Sequence, residues 1–404
     1  MIQNPGTSLL RNRSFLLVWG GQSISILGSQ MSYIALFWWV YESTESSAAL
    51  ASVAIVSAIT RFLAGPLAGM FIDRVDRRRL MLTMNVVNAL TMAGVGSLLY
   101  LGQLQLWHVY VSSVIAAGAT LVHRSALLAS IPNLVSKEQL TQANSVDQIA
   151  YSTSSILGPA LGGVLVDLLG SGPTMWVDAL TFLIAAVSLA FVWFASPRVA
   201  GEAGLRKTLS TAVSGFRFLF SRRSLLCMVA LYGITNFMLA PTSVLFPIMA
   251  HDVLMAGAQG LGFLTSAVSI GMLLGGAFTW LLKRVKRHGA AILLGFAVLG
   301  TALALFGMTR SLPLAVIALG VVGFAAAVLN VFESVILQTR TPDEMRGRAF
   351  AAVNALTQSL RPLSLAVAGG LLLVLSAPVV LIGCGVAVAL SGLGGACVRD
   401  VREL

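Results

Sequence analysis

The feature that most constrains this chain is a regular succession of apolar segments, each about 20 residues long, from Phe15 to Val398. A helix of that length spans the ~30 Å hydrocarbon core of a bilayer and satisfies its own backbone polar groups there. Only 10% of the residues are charged, so the chain cannot cover a water-facing surface and lipid must be its solvent. The pattern predicts an all-α membrane protein with twelve transmembrane helices, at residues 15–41, 48–72, 80–101, 106–130, 139–168, 174–195, 225–250, 258–282, 289–308, 313–338, 345–374 and 377–398.

The apolar segments divide into two similar halves. A basic run, DRVDRRR, follows the second segment, and a related run, KRVKRHG, follows the eighth. We predict two pseudo-symmetric six-helix bundles at residues 1–195 and 225–404, an internal duplication typical of secondary transporters. The polar stretch 196–224 predicts a cytoplasmic linker with an amphipathic helix, because apolar residues recur there at helical spacing, namely Leu205, Leu209, Val213, Phe216 and Phe220.

The positions of the basic residues explain the net charge of +11. With the N-terminus in the cytoplasm, 22 of the 26 Lys and Arg residues fall in cytoplasmic segments, and the opposite loops hold only Arg310. This is the positive-inside distribution, and it predicts that both termini are cytoplasmic. We therefore expect membrane lipid as a partner and no nucleic acid.

Several motifs of other protein classes are missing from the sequence. There is no GxxxxGK[ST] run, so ATP is not expected to be the direct energy source. The four histidines are scattered, and the three cysteines lie in or beside apolar spans. We expect no enzyme activity, no metal site and no bound cofactor.

Two short motifs carry a family resemblance. After the second span, Gly69, Asp73, Arg74, Arg77 and Arg78 resemble the loop signature of the major facilitator superfamily, which often has Gly where this chain has Asp76. In the fifth span, a GPxxGG run resembles the antiporter signature of drug/proton exporters, with Gly158, Pro159, Gly162 and Gly163. Other stretches resemble the bacterial macrolide-efflux and enterobactin-exporter branch, at residues 10–15, 142–145, 178–182, 215–219 and 342–348.

The resemblance implies a monomeric secondary transporter in the bacterial cytoplasmic (inner) membrane. It implies that the loop signature is a conformational latch between the halves, whereas its arginines could instead only anchor the topology. It implies that GPxxGG is a bend that controls rocking, although Gly and Pro there could equally serve ordinary close packing of helices.

Six charged residues lie at least one helical turn inside the predicted spans, where charge is costly and usually functional. Arg124 and Asp147 lie about two turns from the inner ends of spans four and five, so we expect them to pair. Proton-coupling candidates are Glu333 first, Asp147 second, and Asp178, for which a structural role is as reasonable. A permanent structural ion pair is the alternative throughout. The remaining charges, Arg61 and Arg361, are grouped with Arg124 as charge partners.

Polar and aromatic residues at helical spacing in spans one, seven and ten predict the lining of a substrate cavity, because the resemblance places these spans along the transport path. The predicted lining is Gln22, Ser25, Ser29, Tyr33, Phe37, Tyr232, Asn236 and Asn330. Such a mixed surface suits an amphiphilic organic substrate. The same residues could instead form hydrogen bonds between helices.

The leading hypothesis is an exporter of amphiphilic small molecules, of drug, macrolide or siderophore type, that works by alternating access and proton antiport. The alternative with the same fold but a different function is a lipid or lysolipid flippase, or an importer. A non-transporting scaffold or receptor is the third alternative, which loss of intramembrane charges would favour. The choice between H⁺ and Na⁺ as coupling ion stays open at this point.

Overall fold

The structure is a computed structural model that describes residues 12–193, 216–281 and 288–397, together with Leu9 and Ser214. These residues fold into helices joined by short turns. The helices are α1 (Arg13–Thr44), α2 (Ser47–Arg74), α3 (Arg77–Tyr100), α4 (Leu106–Leu134), α5 (Leu140–Leu169), α6 (Ser171–Ala190), α7 (Arg223–Leu239), α8 (Thr242–Ile248), α9 (Gly257–Thr279), α10 (His288–Met308), α11 (Leu312–Arg340), α12 (Asp343–Leu371) and α13 (Ala377–Cys397).

Within the described residues, eleven stretches are long and apolar enough to cross a membrane. They match all the predicted spans except 345–374. That span is α12, a helix of 29 residues whose first turns carry several charges. The all-helical membrane fold predicted from the sequence is therefore confirmed. Most of the predicted linker, including Leu205, Leu209 and Val213, lies outside the described residues, whereas 216–221 are helical.

Within span seven, which the sequence predicts at 225–250, the helix is broken. Helix α7 ends at Leu239 and α8 begins at Thr242. Pro241 has no N–H, so the carbonyl of Phe237 loses its helical partner four residues on. The Ser364 hydroxyl on α12 donates a hydrogen bond to this carbonyl instead. A π-helical turn, Met249–Val253, then completes the span.

The contacts divide the chain into two compact units. Unit 1 comprises Met1–Ser43 and Ile59–Ala203, and unit 2 comprises Thr44–Ala58 and Gly204–Leu404. The division passes through α2, whose first residues group with unit 2.

The core of unit 1 contains an apolar cluster built from the first turns of α1 and α3 and the last turns of α4. Its members include Phe15, Val18, Met81, Leu127 and Ile131. At the same end, the Asn12 amide donates to the Leu134 carbonyl over 2.8 Å, which satisfies a carbonyl in the last turn of α4.

Unit 2 is held by helices that approach closely through glycine. A Cβ built on Gly323 of α11 would lie 2.9–3.0 Å from backbone carbon atoms of Val268 in α9, and 2.0 Å from its oxygen. Helices α10 and α13 meet in the same way at Gly300 and Gly385. Small residues of this kind allow the backbone contact on which packing within lipid depends.

Candidate functional site

The most prominent polar feature of unit 1 is an ion pair between α4 and α5. The Arg124 guanidinium donates Nη1–H to Asp147 Oδ1 over 3.0 Å and Nη2–H to Oδ2 over 2.7 Å. This two-point geometry fixes both side chains in direction as well as distance. Only 11% of the Asp147 side chain is exposed, against 30% for Arg124. The contact expected from the matching depths of the two residues is present, while its functional role stays a prediction.

One aromatic ring contacts this ion pair, and another binds the backbone next to it. The Arg124 guanidinium carbon lies 5.6 Å from the centre of the Tyr151 ring, within the range of a cation–π interaction. The Trp19 indole of α1 donates to the carbonyl of Val146, next to Asp147, over 3.2 Å. Helices α4 and α5 therefore meet at the charge pair, and α1 is bonded to α5 one residue away from it.

Asp178 lies in a separate place, between α6 and α1. Its side chain is buried, and Oδ2 accepts a hydrogen bond of 2.5 Å from the Ser32 hydroxyl. Oδ1 accepts from Thr181 over 3.2 Å. A Cβ built on Gly28 would lie 2.7 Å from Oδ1, so α1 approaches the carboxylate directly. These contacts support the structural role that the sequence left open, and proton coupling at Asp178 stays a prediction.

The GPxxGG motif lies where α5 crosses α1. A Cβ built on Gly158 would lie 2.5 Å from the Cβ of Gln30, and one on Gly162 would lie 2.7 Å from the Cα of Met31. The Gln30 amide also donates to the Ser155 hydroxyl over 3.1 Å. Pro159 and Gly163 are buried in the same helix. In this structure the motif forms a tight helix crossing, and its proposed role in rocking stays a prediction.

The predicted cavity residues of α1 differ in how far they are buried within unit 1. Gln22, Ser25 and Phe37 are buried, whereas Ser29 and Tyr33 are half-buried. The Ser29 hydroxyl donates to the carbonyl of Ser25 in its own helix over 2.9 Å. Tyr33 and Phe37 stack with ring centres 4.4 Å apart.

Of the predicted cavity and proton-coupling residues of unit 2, one is buried and three are at least partly exposed. Tyr232 is buried, and its hydroxyl donates to the carbonyl of Leu329 in α11 over 2.7 Å. Asn236 and Asn330 are exposed, and Glu333 is half-buried. No described cation lies within 4.0 Å of the Glu333 carboxylate. Glu333 thus differs from Asp147, whose carboxylate accepts two hydrogen bonds from the Arg124 guanidinium.

The loop signature is described in part. The side chains of residues 66–74, including those of Asp73 and Arg74, lie outside the described part of the structure, and Gly69 belongs to the same stretch. Asp76, where the superfamily often has Gly, caps α3 by accepting a hydrogen bond of 2.8 Å from the backbone N–H of Arg79. Asp and Gly are both tolerated at such a position, which explains the departure.

Two arginines of the signature donate to backbone carbonyls of neighbouring helices within unit 1, and Arg78 does so at a helix end. Arg77 donates to the carbonyl of Ala129 in α4 over 2.7 Å. Arg78 donates to the carbonyl of Ala190, the last residue of α6, also over 2.7 Å, and lies 4.1 Å from the centre of the Trp193 ring. A cation at a helix C-terminus is stabilised by unsatisfied carbonyls and by the helix dipole. The latch role of the signature stays a prediction.

The remaining predicted charges lie on the outside of their units. Arg61 and Arg361 are both exposed in the structure. Among the described residues, no group of three or more His, Cys, Asp or Glu side chains is arranged to hold a metal ion. Sequence reasoning missed Ser364, which satisfies the carbonyl that Pro241 leaves without a helical partner. Pro241 was the signal in the sequence, because a proline inside a predicted span leaves the carbonyl four residues earlier without its helical partner.

Three relatives match most of this chain in sequence. The chain is 27% identical to the multidrug efflux pump Tap of Mycolicibacterium fortuitum, over 88% of this chain and 90% of that protein. It is 24% identical to macrolide efflux protein A of Streptococcus pyogenes, over 87% of each chain. It is 28% identical to the enterobactin exporter EntS of Escherichia coli, over 84% of this chain and 81% of that protein.

Solved structures agree on the fold. The nucleoside transporter NupG superposes with a TM-score of 0.77 at 14% identity, over 96% of this chain and 99% of that chain. A bacterial homologue of the iron transporter ferroportin gives a TM-score of 0.73 at 16% identity, over 96% of this chain and 100% of that chain. The family model described as Major Facilitator Superfamily matches residues 18–364. This multi-pass membrane protein therefore belongs to the Major Facilitator Superfamily.

Proposed function

We propose that this protein exports amphiphilic small molecules, of drug, macrolide or siderophore type, across the bacterial cytoplasmic membrane. It does so by alternating access, in exchange for protons that enter the cell. Both termini face the cytoplasm. The protein needs no cofactor, and the proton gradient supplies the energy for transport.

The observation that carries this proposal is the two-point pair of Arg124 and Asp147 inside membrane-spanning helices. Removing two charges from water costs free energy that their mutual attraction only partly returns, so such pairs are rarely kept for stability alone. A pair that separates when the surroundings change can release Arg124 and allow Asp147 to take up a proton.

Glu333 supports the same mechanism from unit 2. Its carboxylate is half-buried and no described cation within 4.0 Å holds it ionised, so it is the better placed of the two to exchange a proton. Asn330, one turn away on α11, and Asn236 of α7 are exposed polar groups that an amphiphilic substrate can contact.

The proposed direction of transport and the proposed class of substrate are supported by the names of the relatives. Three proteins that match most of this chain carry the names multidrug efflux pump, macrolide efflux protein and enterobactin exporter. All three names state efflux or export of small molecules, which favours export over lipid flipping.

The test is transport in proteoliposomes with an imposed inside-acid pH gradient, using a panel of fluorescent dyes and macrolides. We expect gradient-driven accumulation by the native protein and its loss in Glu333→Gln and Asp147→Asn. Glu42→Gln is the matched control, because Glu42 is an exposed carboxylate near the end of α1. Each variant must first elute as a folded monodisperse species.

Two results would contradict the proposal. If no panel member accumulates under a proton gradient but one accumulates under a sodium gradient, proton antiport is wrong. If both carboxylate variants transport as well as Glu42→Gln, neither Asp147 nor Glu333 couples transport to protons.

A further inference from the structure

A layer of buried polar side chains lies inside unit 1, and of its members only Gln22 has a predicted role, as part of the cavity lining. Its members are Gln22 of α1, Asn85 and Asn88 of α3, and His123 of α4. Asn85 and Asn88 are each 1% exposed, Gln22 is 4% exposed, and His123 is 8% exposed. In a bilayer-spanning unit, four buried polar groups on three helices call for a physical explanation.

The helical repeat places these four residues in one layer. On α1, Gln22 continues the buried stripe of Phe15 and Val18. On α3, Asn85 and Asn88 follow Met81 at steps of four and three residues. Residues at such spacings lie on the same face of a helix.

On α4, His123 precedes Leu127 by four residues, on the same face. The apolar cluster, which includes Phe15, Val18, Met81 and Leu127, lies on one side of the layer. The Ser130 hydroxyl meets the Met81 sulfur over 4.0 Å, which aligns α3 with α4. From that contact, Asn88 and His123 each lie about 10 Å further into the unit at ~1.5 Å per residue. The polar layer is therefore the next layer of the same core.

The polar atoms of this layer have no hydrogen-bond partner among the described protein atoms. They are the side-chain nitrogen and oxygen of Asn85, the same two atoms of Asn88, Nε2 of Gln22, and Nε2 of His123. These groups offer both donors and acceptors, since each amide nitrogen donates and each amide oxygen accepts. No carboxylate belongs to the layer, so the donor set does not suit a hard cation.

We propose that Gln22, Asn85, Asn88 and His123 form a binding site for a small cluster of internal water molecules in unit 1. Water satisfies such a set because one molecule both donates and accepts, typically making about three hydrogen bonds in a buried site. A dry layer would leave six atoms without partners, and each such group is destabilising. The inference stands on burial and register within unit 1 and does not depend on the transported substrate.

The test is radiolytic hydroxyl-radical footprinting of the full chain in lipid nanodiscs, read residue by residue by mass spectrometry. Radicals formed from a bound water label the side chains beside it, even when bulk solvent does not reach them. The reporter is His123. The dry reference is Met249, which is 0% exposed, and the solvent reference is His251, whose side chain is 36% exposed.

We expect labelling of His123 to approach that of His251 and to exceed that of Met249 clearly. We expect that labelling to be lost in the double variant Asn85→Leu and Asn88→Leu, because two apolar side chains of the same branched shape and larger volume exclude the water. If that double variant does not fold, Asn88→Leu alone is measured in its place. Labelling of native His123 at the level of Met249 would overturn the proposal, and so would labelling that persists unchanged in a folded Leu variant.

Discussion

The crossing of α1 and α5 predicts a large effect from the smallest possible substitution. A Cβ at position 162 would lie 2.7 Å from the Cα of Met31 and 2.8 Å from its carbonyl oxygen. Both are backbone atoms, so no rotation of a side chain relieves the clash. Ordinary contact needs about 3.4 Å, so Gly162→Ala must move the helices apart by roughly 0.7 Å.

The energetic cost follows from that displacement. A gap of 0.5–1 Å forfeits about a quarter to a half of each dispersion contact, and each contact is worth ~0.1–0.2 kcal/mol. For about 25 atom pairs at such a crossing, the loss is roughly 1–2 kcal/mol, within the ~1–3 kcal/mol typical of overpacking. Because both alanine variants gain the same helix propensity, we expect the thermal midpoint of Gly162→Ala to lie a few degrees below that of a Gly→Ala variant without the clash.

The assay is thermal unfolding of purified protein in detergent, followed by intrinsic fluorescence and by the surviving monodisperse fraction. Gly94→Ala is the matched control, because a Cβ there meets nothing within 4 Å and alanine raises helix propensity. We expect the control to be neutral or slightly stabilising. Equal thermal midpoints for the two variants would refute the view that the motif is a backbone-tight crossing.

Two further substitutions test contacts at helix ends and breaks. Arg78→Gln should destabilise unit 1 by about 0.5–1 kcal/mol, because it removes the cation from the carbonyl of Ala190, and thermal unfolding measures this. Ser364→Ala should cost about 1–3 kcal/mol, since it leaves the carbonyl of Phe237 without its donor. Pro241→Ala should shrink the Ser364→Ala effect in a double-mutant cycle, because alanine restores the backbone N–H.

Matched controls exist for both substitutions. Arg79→Gln removes a neighbouring exposed arginine and should leave stability unchanged. Ser359→Ala removes a hydroxyl that bonds the carbonyl of Leu356 in its own helix and should cost little. If either control destabilises as much as its test variant, the specific contact is not the cause. A cycle with no coupling would disprove the link between Ser364 and Pro241.

The sequence by itself determined the spanning helices, because a length of about 20 apolar residues and the satisfaction of backbone groups in lipid admit little else. It also determined which residues of α4 and α5 can pair. Arg124 and Asp147 belong to consecutive helices joined by a short turn, so the helical rise alone sets their depths. The placement of basic residues predicted which face meets the cytoplasm.

Only the tertiary structure decided which face of each helix meets which neighbour. These helices are apolar on nearly every side, so periodicity carries little information about partners that are distant in sequence. Asp178 therefore meets Ser32 across 146 residues, and Ser364 meets Phe237 across 127, without any local pattern that names the pair. At Gly28 the missing side chain lets α1 approach Asp178 and Thr181. Inside a bilayer, packing and hydrogen bonds of this kind replace the hydrophobic effect between helices.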